Sequence, residues 1–551
     1  MRFWKSEPLV AILAATALLR ILVIVLGWQG LRDDPDAYDR IAQAMARTGT
    51  LGVAAEDGSV VPTAFRPPLY PALLAIIRSV MITVDDDFLD PASERGQIVL
   101  RQAVAGLHLL LGLLTVAATY FTARRWLTTP PRTLLAGASD APAASAGPRA
   151  MRAAVAAAAL AATFVAIDPI LLQSSVRLMT ETLATALAAV ALSLWPRLTD
   201  SLAAPTGNSQ RAGRIRQLAF QALWLGVVLG LAYLCRPTFI VWSFLLIAYL
   251  IGWAVTARWR FQEATPSPAR ILAAAGVLAL VAGTFLGGWT YRNLRQLGHP
   301  IWATSHGGYT LLLGNNPLFF DYVRGGPIGV AWDPSEFFRA WRQRELADPR
   351  QRPFWTDGPD SAAAIAANPR WAEEQPSPYD EVAQDRLAYE TAKAAILADF
   401  SGFLKSCVWR WTRLLGPMPQ QPTPQAPPPQ SPVTTPNTVP AAAPPGTPTG
   451  RLPSAAIATV TIYYSGFTLL VLAGIWRIGR RLLTPRYAAA VALLLSLFAV
   501  HTFYWSNLRM RAPAVPALAI FAAIGLCRSR LPDETAPSSS TDKSNSPDTA
   551  I

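Results

Sequence analysis

Charge, histidine and cysteine are all scarce in this sequence, and each shortage excludes something. Only 15% of the 551 residues are Asp, Glu, Lys or Arg, and 52% are hydrophobic, whereas soluble domains are about 25% charged. With a mean hydropathy of +0.28, an ordinary soluble protein is excluded. The three cysteines, Cys235, Cys407 and Cys527, are scattered without a CxxC pair, so neither a zinc ribbon nor a disulfide framework is expected. Two of them lie near the ends of apolar runs and read as packed small residues. The four histidines, His108, His299, His306 and His501, show no HxxxH spacing, which argues against a histidine-rich metal site. Acidic residues number 35 against 48 basic ones, a net charge of +13. The basic residues sit in short clusters between apolar runs. That is the positive-inside pattern of a membrane protein, not a nucleic-acid surface. No small-x-small cleavage site closes the first apolar run, so "MRFWK" and its continuation read as an uncleaved span.

What the sequence has in abundance is apolar length. Segments of about 17 to 25 residues, enough to cross a bilayer, fall at roughly 8–28, 99–122, 151–168, 178–196, 218–235, 238–256, 270–289, 455–476, 487–505 and 512–528. The fold class is therefore an all-α polytopic membrane protein of about ten transmembrane helices. The links "IDPILLQSSVR" and "CRPT" predict tight turns between neighbours. If ten spans alternate from a cytoplasmic N-terminus, the basic groups share one side. These are "RRW" with Arg132, Arg149 and Arg152; Arg197, Arg211, Arg214 and Arg216; Arg258, Arg260 and Arg270; Arg477, Arg480, Arg481 and Arg486; and Arg528 with Arg530. The extracytoplasmic side then holds the loop 29–97 and the long segment 290–454.

The predicted organisation has five parts. An N-terminal transmembrane module, 1–289, carries the loop 29–97. An extracytoplasmic segment, 290–416, precedes a Pro-rich low-complexity linker, 417–453. C-terminal transmembrane helices occupy 454–530, and a disordered cytoplasmic tail covers 531–551. The stretch 133–149 is also low in complexity, and no short-period repeat is evident. Within "LRDDPDAYDRIAQAMARTG", Asp34 fits a helix N-cap and Pro35 a first helical position. Tyr38, Ile41, Ala42 and Met45 recur at helical spacing, and Gly49 fits the C-terminal glycine. This predicts a short amphipathic helix along the membrane surface, and a second one follows "FRPPLYPALLAIIRSVMI". "GGYTLLLGNNP" reads as a Gly-rich loop whose glycines permit tight turns. Without a Walker lysine it is no nucleotide loop.

Ionisable residues at or inside a membrane are costly, so each is a candidate for function. Asp34 reads equally as a helix cap and as a carboxylate held at a cavity. Arg66 in "TAFRPPLYP" reads as a surface arginine or as a cation fixed by Pro67 and Pro68 for a lipid phosphate. Glu181 in "RLMTETLA" lies just inside a span, with Arg177 close enough in sequence to pair with it. Arg236, Arg292 with Asn293, Arg509 and Arg511 fall at the same face, either as interface anchors or as ligands for an anionic headgroup.

In order along the chain, "DDPDAY", "FRPPLYP", "DP…LMTE", "RP", "RN" and "RxRxPxxP" resemble the bacterial integral-membrane glycosyltransferases of the GT-C class. Protein O-mannosyltransferases (glycosyltransferase family 39-like) and the lipid A aminoarabinose transferase are relatives within it. The resemblance implies a hexosyl or pentosyl transferase of the inner (plasma) membrane, with its active site on the extracytoplasmic face. Its donor would be a polyprenyl-phosphate sugar, and its acceptor a lipid, a glycan or a protein. The class places an acidic residue four positions before an aromatic one on a short helix, as Asp34 stands before Tyr38. Where relatives have Asp-Glu, this chain has Asp34-Pro35, so Asp33 and Asp36 remain alternatives. By resemblance Asp34, Asp36 and Glu181 are catalytic candidates. Arg66, Tyr38, Arg236, Arg292 and Arg511 are candidates for binding lipid phosphate or substrate. Some relatives use a divalent metal; no firm ligand set is evident here. The competing class is a transporter or lipid flippase, which would predict charges near the midplane and paired halves.

Overall fold

In lipid, every backbone N–H and C=O must find its partner within the segment, so long apolar runs fold as helices. The structure, a computed structural model, describes residues 8–54, 58–82, 93–128, 148–204, 211–259, 267–326, 332–338, 340, 381–417 and 454–527. The low-complexity expectations for 133–147, 418–453 and 531–551 fall outside them, as does most of 327–380.

The chain opens with α1 (Pro8–Leu26), α2 (Tyr38–Thr48) and a hairpin of β1 (Gly52–Ala54) and β2 (Val60–Pro62), paired Gly52 to Pro62 and Ala54 to Val60. Then come α3 (Leu69–Ile82), α4 (Glu94–Thr128), α5 (Pro148–Ile167), α6 (Pro169–Ser174) and α7 (Glu181–Ala203). Next are α8 (Arg211–Cys235), α9 (Phe239–Trp259), α10 (Pro268–Leu297), α11 (Gly307–Leu313) and α12 (Pro317–Gly325). The last described helices are α13 (Glu381–Ala398), α14 (Phe400–Leu415), α15 (Ser454–Ile478), α16 (Pro485–Phe503) and α17 (Val515–Leu526). Among the described residues nine helices are long and apolar enough to span a membrane. The tenth expected span is α5, whose apolar part, Met151–Ile167, is shorter.

In the bundle, α4 packs against α5 and α7, and α8 against α7 and α10. Helix α9 packs on α10 and α16, and α15 on α17. The last pair is close because Gly474 and Gly525 face each other; a Cβ on either would strike the other helix's backbone.

Two ends can be told apart. At one, the loop that carries α2 meets the α6–α7 link and the end of α10, and the start of α7 meets the α8–α9 link and Arg509. At the other, Arg125 pairs with Asp200, the Trp195 indole donates to Pro485 O, and Arg486 donates to Trp126 O. The described members of the basic clusters gather at this second end.

Two local expectations are corrected. Helix α2 starts at Tyr38, not Pro35, because Ala37 takes a left-handed conformation (φ 59°) that turns the chain just before it. Its other end is as expected: Gly49 at φ 71° donates to Met45 O at 2.8 Å. "GGYTLLL" is helix α11 rather than a loop. Its glycines permit no turn; they let α13 approach so closely that a Cβ on Gly308 would meet the Asp385 carbonyl.

Candidate active site

The site is built around the start of α2. Because Ala37 bends the chain, Asp34 folds back over the helix N-terminus. Its Oδ2 accepts from the Asp39 and Arg40 amides at 3.0 and 3.1 Å, satisfying two of the donors that every helix start leaves open. Asp34 thus caps the helix without being its N-cap residue. Its Oδ1 is buried, with no hydrogen-bond partner among the described residues. Burial raises the Asp34 carboxyl above the usual aspartate range, against the lowering effect of the two amides.

The neighbouring aspartates are differently occupied. Asp36 is held by Arg66, whose Nη2 lies 2.9 Å from its carboxylate and whose Nε donates to its carbonyl at 2.8 Å. Asp39 receives the Arg78 fork at 2.9 and 2.7 Å. Asp33 is exposed. Arg66 also lies over the rings of Phe65 and Tyr38, 4.7 and 5.5 Å from their centroids.

Tyr38, the first residue of α2, is buried and meets Tyr70 edge-on at 5.3 Å. Burial pushes its hydroxyl well above the usual tyrosine range, in a field to which Arg66, Asp36, Arg236 and Glu181 contribute. Tyr38 therefore stands between two ion-pair groups.

The second group centres on Glu181, which is 1% exposed. Arg236 Nη2 donates to its Oε1 at 2.7 Å, and Arg236 Nε donates to Thr180 Oγ1 at 2.9 Å. Arg509 Nε lies 3.0 Å from the same carboxylate oxygen, an ion pair without the alignment of a hydrogen bond. By nearness in sequence Arg177 is a candidate partner. The ion pairs go instead to arginines from the α8–α9 link and the start of the last span, because the first turn of α7 packs between those elements.

Arg292 and Arg511 make their bonds elsewhere. Arg292 donates to Thr63 O at 2.7 Å and Leu51 O at 2.5 Å, stitching the hairpin to α10. Arg511 lies 3.9 Å over the Tyr464 ring and donates to Leu415 O and Gly416 O.

Four more residues contribute to this end; the sequence marks Asp168 only as part of a motif and His108 only as one of four histidines. Arg20, buried in α1, donates to Ser175 Oγ at 2.5 Å. His108 joins Tyr70 (3.0 Å) to Ser175 O (3.1 Å). Asp168 caps α6 and accepts from Tyr464 at 3.2 Å. All three converge on α6 and the link that follows it. The fourth, Glu381, is the first residue of α13. It accepts from Thr63 Oγ1 at 2.5 Å and the Ala64 amide at 2.8 Å. With Ser305 N donating to Ala64 O and His306 packed 4.5 Å from the Phe65 ring, it grips the stretch that carries Arg66. Its partners lie more than 300 residues away, so no sequence signal could have found it.

No protein-family model and no curated protein matches the chain. Among solved structures it is similar to the archaeal oligosaccharyltransferase AglB from Archaeoglobus fulgidus in complex with an inhibitory peptide and a dolichol-phosphate. There the identity is 15% over 95% of this chain and 50% of that one, with a TM-score of 0.46. The same enzyme in complex with Zn and sulfate matches at 13% identity over 93% and 48%, TM-score 0.44. ArnT from Cupriavidus metallidurans bound to undecaprenyl phosphate matches at 14% over 92% and 77%, TM-score 0.29. The chain spans about half the length of the AglB chains. At identities and TM-scores this low, the chain's own geometry has to carry the functional reading.

Among the described residues, the side chains around Asp34 do not fit a metal: no three His, Cys, Asp or Glu side chains converge. The carboxylates nearest in sequence to Asp34 on the α2 side, Asp36 and Asp39, are each neutralised by an arginine.

Proposed function

We propose that the protein is a GT-C-type glycosyltransferase moving a sugar from a polyprenyl-phosphate donor to an acceptor hydroxyl at the extracytoplasmic face of the inner membrane, with Asp34 as general base. The observation that carries this reading is the Asp34 carboxylate. One oxygen is fixed by two helix amides, and the other is buried, unpaired and on a carboxyl whose proton affinity is raised. That is the form a general base takes: oriented through one oxygen, free at the other, and tuned upward by burial.

In the proposed step, Asp34 Oδ1 takes the proton of the acceptor hydroxyl as its oxygen attacks the anomeric carbon. The bond from that carbon to the phosphate oxygen breaks with inversion, and the lipid phosphate leaves with the bonding electrons. The leaving group is already an anion, so it needs counter-charge rather than a proton. Glu181 with Arg236 and Arg509 carries a net positive charge. In this reading Glu181 positions the two arginines for the lipid phosphate. Asp36 fixes Arg66, and Tyr38 lies between the two groups. A transporter or flippase is less well supported, because the buried cation of α1, Arg20, is locked onto Ser175 and Leu171.

The test is transfer from radiolabelled polyprenyl-phosphate sugars in membranes holding wild type or Asp34→Asn. We expect transfer by wild type and a loss of about 10²- to 10⁴-fold in the variant, with donor binding retained. Equal transfer by both would remove Asp34 from the mechanism. No transfer from any donor by wild type, with lipid flipping present, would replace the enzyme reading by the transporter one.

A further inference from the structure

Helix α14 belongs to the segment that the sequence assigns to the aqueous side, yet one of its faces is apolar and exposed among the described residues. Phe400, Leu404, Val408, Trp411 and Leu415 are 58, 51, 56, 39 and 41% exposed. Their spacing of three and four residues lays them along one stripe. The opposite face, Gly402, Phe403, Ser406, Cys407, Arg410 and Leu414, is buried.

Where the stripe lies follows from the buried face. Arg410, fully buried, donates through Nε and Nη2 to Thr502 O at 3.0 and 2.7 Å, closing the last turn of α16. The Trp411 indole donates to Thr502 Oγ1 at 3.0 Å, and Phe403 stacks on Phe503 at 6.2 Å. Helix α14 is therefore fastened beside the final turns of a membrane-spanning helix. That helix exposes Leu495 and Phe503 at 54% and 50%, so the α14 stripe continues the apolar belt of α16. Lys405 is exposed next to Leu404, where its stem can lie on apolar surface and its ammonium can reach a headgroup. A tryptophan with one polar atom suits the same depth.

We propose that α14 is an interfacial helix whose stripe is covered by membrane lipid at the boundary between acyl chains and headgroups. Because the carbonyls of Leu415 and Gly416 accept from Arg511, seating α14 in lipid also fixes where Arg511 is held.

Spin labels at Leu404→Cys and Val408→Cys, each in a Cys527→Ser background, would be placed in the full chain in phosphatidylethanolamine and phosphatidylglycerol vesicles. Collision with oxygen, which partitions into lipid, would be compared with collision with a water-soluble nickel chelate. Leu469→Cys, on the exposed face of α15, is the lipid control, and Glu390→Cys, on the exposed face of α13, is the water control. We expect both α14 labels to favour oxygen, as at 469. Collision dominated by nickel, as at 390, would place the stripe in water and overturn the proposal. Low collision with both would mean that protein covers it, from a second copy or from another part of the chain, and would overturn it equally. All four positions are exposed, and the label spectrum itself reports whether each variant is folded.

Discussion

At the end of the bundle that holds α2, Glu181 is 1% exposed and faces two arginines; at the opposite end, Arg125 and Asp200 pair at 39% and 33% exposure. Burying charge costs several kcal/mol per ion before any pairing, whereas an exposed pair is nearly neutral in free energy. The opposite end places its cations where water or backbone carbonyls receive them. The α2 end retains buried charged groups with atoms that have no hydrogen-bond partner among the described residues, including Asp34 Oδ1, Glu181 Oε2 and Arg511 Nη2. Stability alone would not favour that arrangement; recognition of a charged substrate would.

The contrast can be broken by substitution. The largest effect is expected for Glu181→Leu, which strands Arg236 and Arg509 without their carboxylate. It should cost about 3–5 kcal/mol, read by thermal unfolding in detergent. A loss no larger than that of the exposed pair would end the comparison. Glu381→Ala removes two charge-assisted hydrogen bonds from 63–64 and should cost about 1.5–3 kcal/mol. It should also lower kcat for sugar transfer more than it changes KM, because Arg66 loses its setting; Glu381→Gln, which keeps an acceptor, should recover part of that loss. Arg125→Ala, at the opposite end, should cost under about 1 kcal/mol and leave transfer unchanged.

The smallest expected effect has the opposite sign. Burial pushes the Asp385 carboxyl up to about 6, despite the Gly308 amide that donates to it. A raised carboxyl contributes stability fully present below the ordinary aspartate range and lost as pH rises through about 6. Asp385→Asn, which keeps an acceptor for Gly308 and cannot ionise, should therefore melt slightly higher than wild type above pH 6 and alike at pH 4.

The sequence shows the spans clearly, because a bilayer demands length and apolarity and both are local. It also shows Asp34, Tyr38, Gly49 and the arginines of the links, since the residues flanking a span are confined to its ends. The manner in which Asp34 caps α2 is not legible, because it depends on a left-handed Ala37, a residue with no preference for that conformation. Nearness in sequence favours Arg177 as the partner of Glu181, whereas helix packing brings Arg236 and Arg509 to it. Glu381 and Arg20 act through contacts across the bundle, where no spacing rule reaches. Gly307 and Gly308 look like a loop in sequence, since glycine serves close helix packing and turns alike.

The most direct measurement is the pH dependence of kcat/KM for sugar transfer by wild type and by Asp34→Asn. A base must be ionised to act, so wild-type activity should rise with pH along an acidic limb set above the usual aspartate range by the burial of Asp34. That limb should vanish from the residual activity of the variant. An identical acidic limb in both proteins would contradict the assignment of Asp34 as the base.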